Sequence, residues 1–192
     1  MKTAAGPALG RPRSDAARIA VLHAVDDMLV EEGYAAMTMK GVAARAGVGR
    51  QTVYRWWNSK AEILLEAVKE DARDELAIGP GESTPAEYRD FLARVSRFLT
   101  ESPAGAAYRA LVGEAQHDAK VAELIRGSDV LVEAAVPVLK RAIDRGDLPS
   151  DLDLAHAAAE LIGPVFFRVL AGPATGAPQP RAAQTPRPPR LA

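Results

Sequence analysis

Residues 38–60 read TMKGVAARAGVGRQTVYRWWNSK, and this stretch decides how the rest of the chain is understood. Thr38 suits the N-cap of a short helix through Ala46, which turns Met39, Val42 and Ala43 inward. Gly47 ends that helix, and Gly47-Val48-Gly49 is a three-residue turn with two glycines. Arg50 to Trp57 follows as a further helix with Val53 and Trp57 on one side. Two short helices across a tight turn make a helix-turn-helix.

The same stretch is charged in one sense. Residues 37–60 carry Lys40, Arg45, Arg50, Arg55 and Lys60 and no acidic residue. A phosphate-facing surface needs such local positive charge, because neutralising phosphates releases condensed counterions; a solvated basic face accounts for the charge equally well. Side-chain chemistry adds to it. Arg50, Gln51 and Arg55 are long and multivalent, as readers of base edges must be: arginine grips guanine and glutamine grips adenine in bidentate fashion. Thr52 and Tyr54 present hydroxyls suited to phosphate oxygens. Lys60 enters the first turn of the next helix, where ammonium and backbone amides together clamp a phosphate, and Thr38 is placed for the same task one helix earlier.

Upstream, residues 1–13 are rich in Gly, Pro and Ala and read as a flexible arm. From Ser14 or Asp15 the apolar set Ile19, Leu22, Val25, Met28 and Leu29 predicts an amphipathic helix that stops at Gly33. Downstream, Asn58 or Ser59 caps a fourth helix, and Ser59 with Glu62 has capping-box spacing. A Gly/Pro/Ser/Thr connector spans 78–85, followed by helices over 86–101, 104–119, 121–126, 129–145 and 151–170. Pro137 and Pro164 fall inside the last two. No segment alternates with period two for long enough to form a sheet, so the fold class is all-α: a three-helix head over 14–60 and a helical domain over 61–171. Residues 172–192 hold six of the chain's 14 prolines and no acidic residue, the composition of a disordered tail.

Thr38-Met39, Val42-Ala43, Ala46-Gly47-Val48, Thr52-Val53-Tyr54, Trp57 and Ser59-Lys60, with Ile19, Leu29 and Gly33-Tyr34 upstream, resemble the DNA-binding signature of TetR-family regulators over roughly the first 75 residues. The resemblance implies a repressor that binds a palindromic operator in double-stranded DNA and leaves it when a small molecule binds. Thr38, Thr52, Tyr54 and Lys60 are then backbone contacts, and Arg50, Gln51 and Arg55 face the bases. It implies a homodimer through the last two long helices, a lever in the fourth helix, and an effector pocket among the middle helices. Tyr88, Phe91, Phe98, Tyr108, His117 and Phe166 are candidates to line that pocket. Gly49 departs from the pattern, standing where the family commonly has a serine able to cap the recognition helix.

Composition bounds the alternatives. The chain has 192 residues and no cysteine, which excludes disulfides, thiolate zinc sites and cysteine nucleophiles. No stretch approaches the roughly 20 apolar residues of a membrane span, so a cytoplasmic protein without a membrane role is expected. Residues 11–60 hold eight Lys or Arg against five Asp or Glu, whereas 61–171 hold 12 against 20. This asymmetry disfavours a sequence-indifferent DNA-binding protein. A helical metal protein or enzyme would have to use His117 with Glu114 and Asp118, or His156 with Glu160; the chain has no repeated Glu-x-x-His, phosphate loop or nucleophile elbow. Neither enzyme activity, cofactor nor metal is expected.

Overall fold

A computed structural model of the chain describes residues 11–172. The expected arm at 1–10 and the expected tail at 173–192 lie outside the described residues. Those described form α1 (Arg11–Glu31), a 3-10 turn (Tyr34–Ala36), α2 (Met39–Arg45), α3 (Arg50–Tyr54), α4 (Lys60–Leu76), α5 (Thr84–Glu101), α6 (Pro103–Ala115), α7 (Ala119–Gly127), α8 (Val130–Asp144) and α9 (Leu154–Ala171), with no strand among them. Helix α1 begins three residues before Ser14, since Pro12 in a first turn lacks only an amide that would have no intrahelical partner.

The described residues divide into two compact units. The first runs to Asp74 and resumes over Glu101–Val130; the second comprises Glu75–Thr100 and the chain from Leu131 onward. Compactness therefore cuts the chain within α4 and near the end of α5.

In the first unit, α1 packs on α2, α3 and α6, and α6 packs on α7. Val21, Leu22, Val25 and Met28 of α1 are buried, as are Val42, Val53, Trp57, Leu64 and Leu111. Ile19, expected in this core, is instead half-exposed. Helix ends follow side-chain chemistry. The Ser102 hydroxyl accepts from the amides of Ala104 and Gly105, with Pro103 next to it, and the Asp118 carboxylate accepts from Lys120 and Val121. Each satisfies amides that the helix itself leaves without partners.

In the second unit, α5 buries Phe91, Val95, Phe98 and Leu99, α8 buries Leu131, Ala135, Val138 and Leu139, and α9 buries Ala158, Ile162 and Val165. One charged side chain lies inside. Glu87 is 1% exposed and bonds to Arg141 Nε at 2.8 Å, to Arg145 and to the Gly81 amide at 2.8 Å. Burial by itself would raise its pKa, but these three donors more than offset that and hold it down to about 2. Thr84 donates to Asp147 at 2.6 Å, so the start of α5 is tied to the turn after α8. Pro137 and Pro164 sit within α8 and α9, both exposed.

Helix α9 is apolar along most of its length. Its 18 residues have a mean hydropathy of 1.4, enough by length and composition to cross a membrane, and 22% of that stretch is buried. His156, Glu160 and Arg168 interrupt the apolar run.

Candidate nucleic-acid interface

The interface is built on the turn between α2 and α3. The Thr38 hydroxyl accepts from the Gly41 amide at 3.0 Å and caps α2. At the other end, Gly47 adopts φ 66°, a conformation a side chain disfavours. Its amide donates to Ala44 O, and the Val48 amide donates to Ala43 O at 3.1 Å, the paired bonds of a Schellman stop. Gly49 then heads α3 without any side-chain cap. The carbonyl of Gly49 accepts from Thr52 at 2.9 Å. The helix runs only to Tyr54 rather than to the expected Trp57, and Trp56 and Trp57 continue it as a bonded turn, both amides donating to Val53 O.

Val53 and Trp57 are buried, 0% and 3% exposed, and they anchor this short helix to the head. Arg50, Gln51, Tyr54 and Arg55 are all exposed; at helical spacing they cover an arc of about 140°. Thr52 is half-buried at the side of that arc. The Arg55 guanidinium lies 5.8 Å from the Trp56 ring centroid, a distance at which the ring face attracts it. Trp56 is half-buried beside it and meets Trp57 edge-on.

The start of α4 is locked to the head. The Ser59 hydroxyl accepts from the Glu62 amide at 3.2 Å, and the Glu62 carboxylate returns to the Asn58 amide at 2.8 Å. The reciprocal cap therefore reaches one residue further back than the Ser59–Glu62 spacing suggests. Trp57 Nε1 donates to Glu66 at 2.7 Å, and Arg18 of α1 pairs with the same carboxylate. Lys60, half-buried, holds its ammonium 4.1 Å from the Tyr34 ring centroid. Of the basic residues in this stretch, Arg45 bonds to Glu31 at 2.5 Å, and each partner stabilises the other's charged form. Tyr34 and Glu114, bonded through the Tyr34 hydroxyl, were not singled out as a pair by the sequence, since 80 residues separate them.

The expected pocket residues are divided between the two units. Tyr88, Phe91, Phe98 and Phe166 belong to the second unit, with Phe91 and Phe98 fully buried and Tyr88 and Phe166 half-buried. Tyr108 and His117 belong to the first. The Tyr108 hydroxyl is buried and donates to Asp129 at 3.0 Å, and burial followed by that carboxylate pushes its pKa up. His117 is exposed on the turn after α6 and so lines no enclosed space. A cleft of about 420 Å³ opens in the second unit against Ile78, Pro80, Asp90, Ala93, Arg94 and Arg97. Of the residues of the metal alternative, Glu114 bonds to Tyr34 and His156 and Glu160 form an exposed pair at 3.4 Å; no three His, Asp or Glu converge among the described residues.

A two-helix reader with an exposed, cation-rich second helix, held on a buried tryptophan and valine, defines a helix-turn-helix DNA-binding protein. The sequence matches the family model for bacterial regulatory proteins of the tetR family over residues 21–67, and that for the tetracyclin repressor-like C-terminal domain over residues 81–184. It is 32% identical to the HTH-type transcriptional regulator YdeS of Bacillus subtilis (strain 168), covering 84% of this chain and 82% of that one. It is 29% identical to the DNA-binding transcriptional repressor TetR of Mycobacteroides abscessus, over 77% and 80% of the two chains. Among solved structures, the TetR family transcription regulator SCO0332 superposes with a TM-score of 0.70 at 31% identity, over 84% of this chain and 88% of that one. The chain belongs to the TetR family of helix-turn-helix transcriptional regulators.

Proposed function

We propose that this regulator is a homodimeric repressor that reads a palindromic operator and is released from it by a small organic effector. The observation that carries the reading is the exposed arc of Arg50, Gln51, Tyr54 and Arg55 on a helix whose opposite side is buried. In this reading Arg50, Gln51 and Arg55 contact base edges, and Thr38, Thr52, Tyr54 and Lys60 hold phosphates. The functional division is a DNA-binding domain over 14–60 and a regulatory domain over 61–171.

Dimerisation runs through α8 and α9. Ala155, Ala159, Gly163 and Phe167 recur at four-residue spacing and are all exposed, with Phe167 at 71%. A row of small residues ending in an aromatic suits close pairing with a second helix, and two recognition helices on a two-fold axis read half-sites about 34–36 Å apart or a multiple of that. Tyr88, Phe91, Phe98 and Phe166 are the aromatic side chains of the second unit proposed to meet the effector. Helix α4, which starts at the head and ends in the second unit, is the lever. Work on chromosomal DNA places the protein in the cytoplasm.

A gel shift of the purified protein on the intergenic DNA beside its own gene, with excess random competitor, tests this. A discrete complex that survives the competitor supports a local specific regulator; binding that the competitor removes entirely argues against one.

A further inference from the structure

We propose that Glu114, on α6, is a positioning residue for DNA binding: through the Tyr34 hydroxyl it holds the Tyr34 ring against Lys60, and so sets the ammonium at the start of α4. The proposal rests on the reading of Lys60 as a phosphate contact.

Three observations converge on it. The Tyr34 hydroxyl donates to Glu114 Oε2, and the opposite side of the relation is the Lys60 ammonium, 4.1 Å from the ring centroid. Both Tyr34 and Glu114 are half-buried, so water competes for the bond less than at an open surface. Tyr34 itself is fixed, because it opens a 3-10 turn directly after Gly33, whose φ of 74° is one that a side chain disfavours. Burial, then the Glu114 bond, then the charge of Asp118 push the Tyr34 hydroxyl pKa up; it stays a protonated donor at any pH at which the protein works.

The physical consequence follows from the ring. A phenol whose hydroxyl donates to a carboxylate is richer in electron density, and its face attracts an ammonium more strongly. Lysine has a flexible four-carbon stem, so an ammonium already held in place loses less freedom when it meets a phosphate. Glu114 lies in the last turn of α6, where its backbone carbonyl also accepts from His117 and Asp118 at 2.9 Å each. The end of α6 is thereby coupled to a DNA contact through one hydrogen bond and one cation–ring contact.

The test uses the full chain with two duplexes, one carrying a site selected from a random-sequence pool and one random duplex of equal length. Affinity and its salt dependence are measured for Glu114→Ala, Glu114→Gln, Tyr34→Phe, Lys60→Ala and the Glu114→Ala/Lys60→Ala pair. The expected result is a loss of at least about fivefold for Glu114→Ala on both duplexes, with the log–log salt slope smaller by about one, as for Lys60→Ala. Glu114→Gln, which keeps an acceptor, restores most of the affinity. Adding Glu114→Ala to Lys60→Ala costs nothing more. A second full loss in the double variant, or parental binding by Glu114→Ala, overturns the proposal. Thermal unfolding checks that each variant is folded, and if Glu114→Ala is not, Tyr34→Phe, which removes only the hydroxyl, takes its place in the same comparison. Weakening by Lys60→Ala with none by Glu114→Ala defeats the positioning role alone, whereas unchanged binding by Lys60→Ala defeats the phosphate reading and the proposal with it.

Discussion

Arg50 and Tyr54 stand one helical turn apart on α3 and are both exposed, yet their replacement should have different consequences. Arg50→Ala is expected to relax preference at particular base pairs, by about 1–3 kcal/mol of discrimination. Tyr54→Phe removes only a hydroxyl that has no base to read and should weaken all sequences alike. Binding to a panel of single-base operator variants separates the two, and equal losses across the panel from Arg50→Ala would end its base-reading role. Asp26, on α1, gives a pH signature. Burial first, then Asp71, with Glu70 and Asp27 also adding and His23 opposing, raise its pKa from 3.8 to about 6. A carboxyl with a raised folded pKa favours folding most below its unfolded value, and that contribution is lost as pH rises through about 6. Charged Asp26 thus opposes folding at neutral pH. Asp26→Asn should stabilise the protein by about 1 kcal/mol above pH 7, the group being screened by solvent, and by almost nothing near pH 4, as read from denaturant midpoints. The exposure of residues 50, 51, 54 and 55 was legible in the chain from helical spacing. Asp26 was not, because its shift comes first from burial and then from α4 residues more than 40 positions away.

Helix α3 is short and lacks a side-chain cap, which follows from Gly49. The backbone of Gly49 has φ −69°, and a Cβ there would meet nothing closer than Thr52 Oγ1 at 3.8 Å. Gly49→Ser should therefore fit, supply the missing cap and stabilise the head by a few tenths of a kcal/mol. Gly47→Ala is the opposite case. No atom lies within 4 Å of its Cβ position, but the positive φ costs a side chain about 1 kcal/mol. A fall in the thermal midpoint for Gly47→Ala beside a small rise for Gly49→Ser checks both. Periodicity and turn residues placed every helix described, with ends off by a few residues. The 3-10 turn at Tyr34–Ala36 was missed, since three residues show no period, and α3 ran short because the bonding of Trp56 and Trp57 back to Val53 tightens its end.

Two units share one chain that leaves the first at Glu75 and returns to it at Glu101. Within the second, Glu87 joins the connector to α8, and breaking a buried ion pair from one side is costly. Glu87→Gln should lower stability by about 3 kcal/mol, seen as a lower thermal midpoint, with the isolated head contacts unaffected. Assembly is tested at α9. Phe167→Glu places a charge on the exposed row that ends in Phe167; light scattering should find a monomer, and operator affinity should fall with it. A variant that remains dimeric would move the interface off this face. The apolar composition of α9 was visible in the chain, but whether it was core or surface was not, because its periodicity serves a buried side and an exposed side at once.

Spacing, capping residues and the types of side chain in 38–60 were enough to establish an all-helical regulator with a DNA-reading head, because a helix-turn-helix is local: its turn, its buried valine and its exposed cations lie within 23 consecutive residues. Contacts made over long separations were beyond that reading. The pairing of Tyr34 with Glu114, the burial of Glu87 between two arginines and the exposure of His117 depend on which helices meet and at what rotation. That is set by the fit of whole apolar faces, and no single segment carries it.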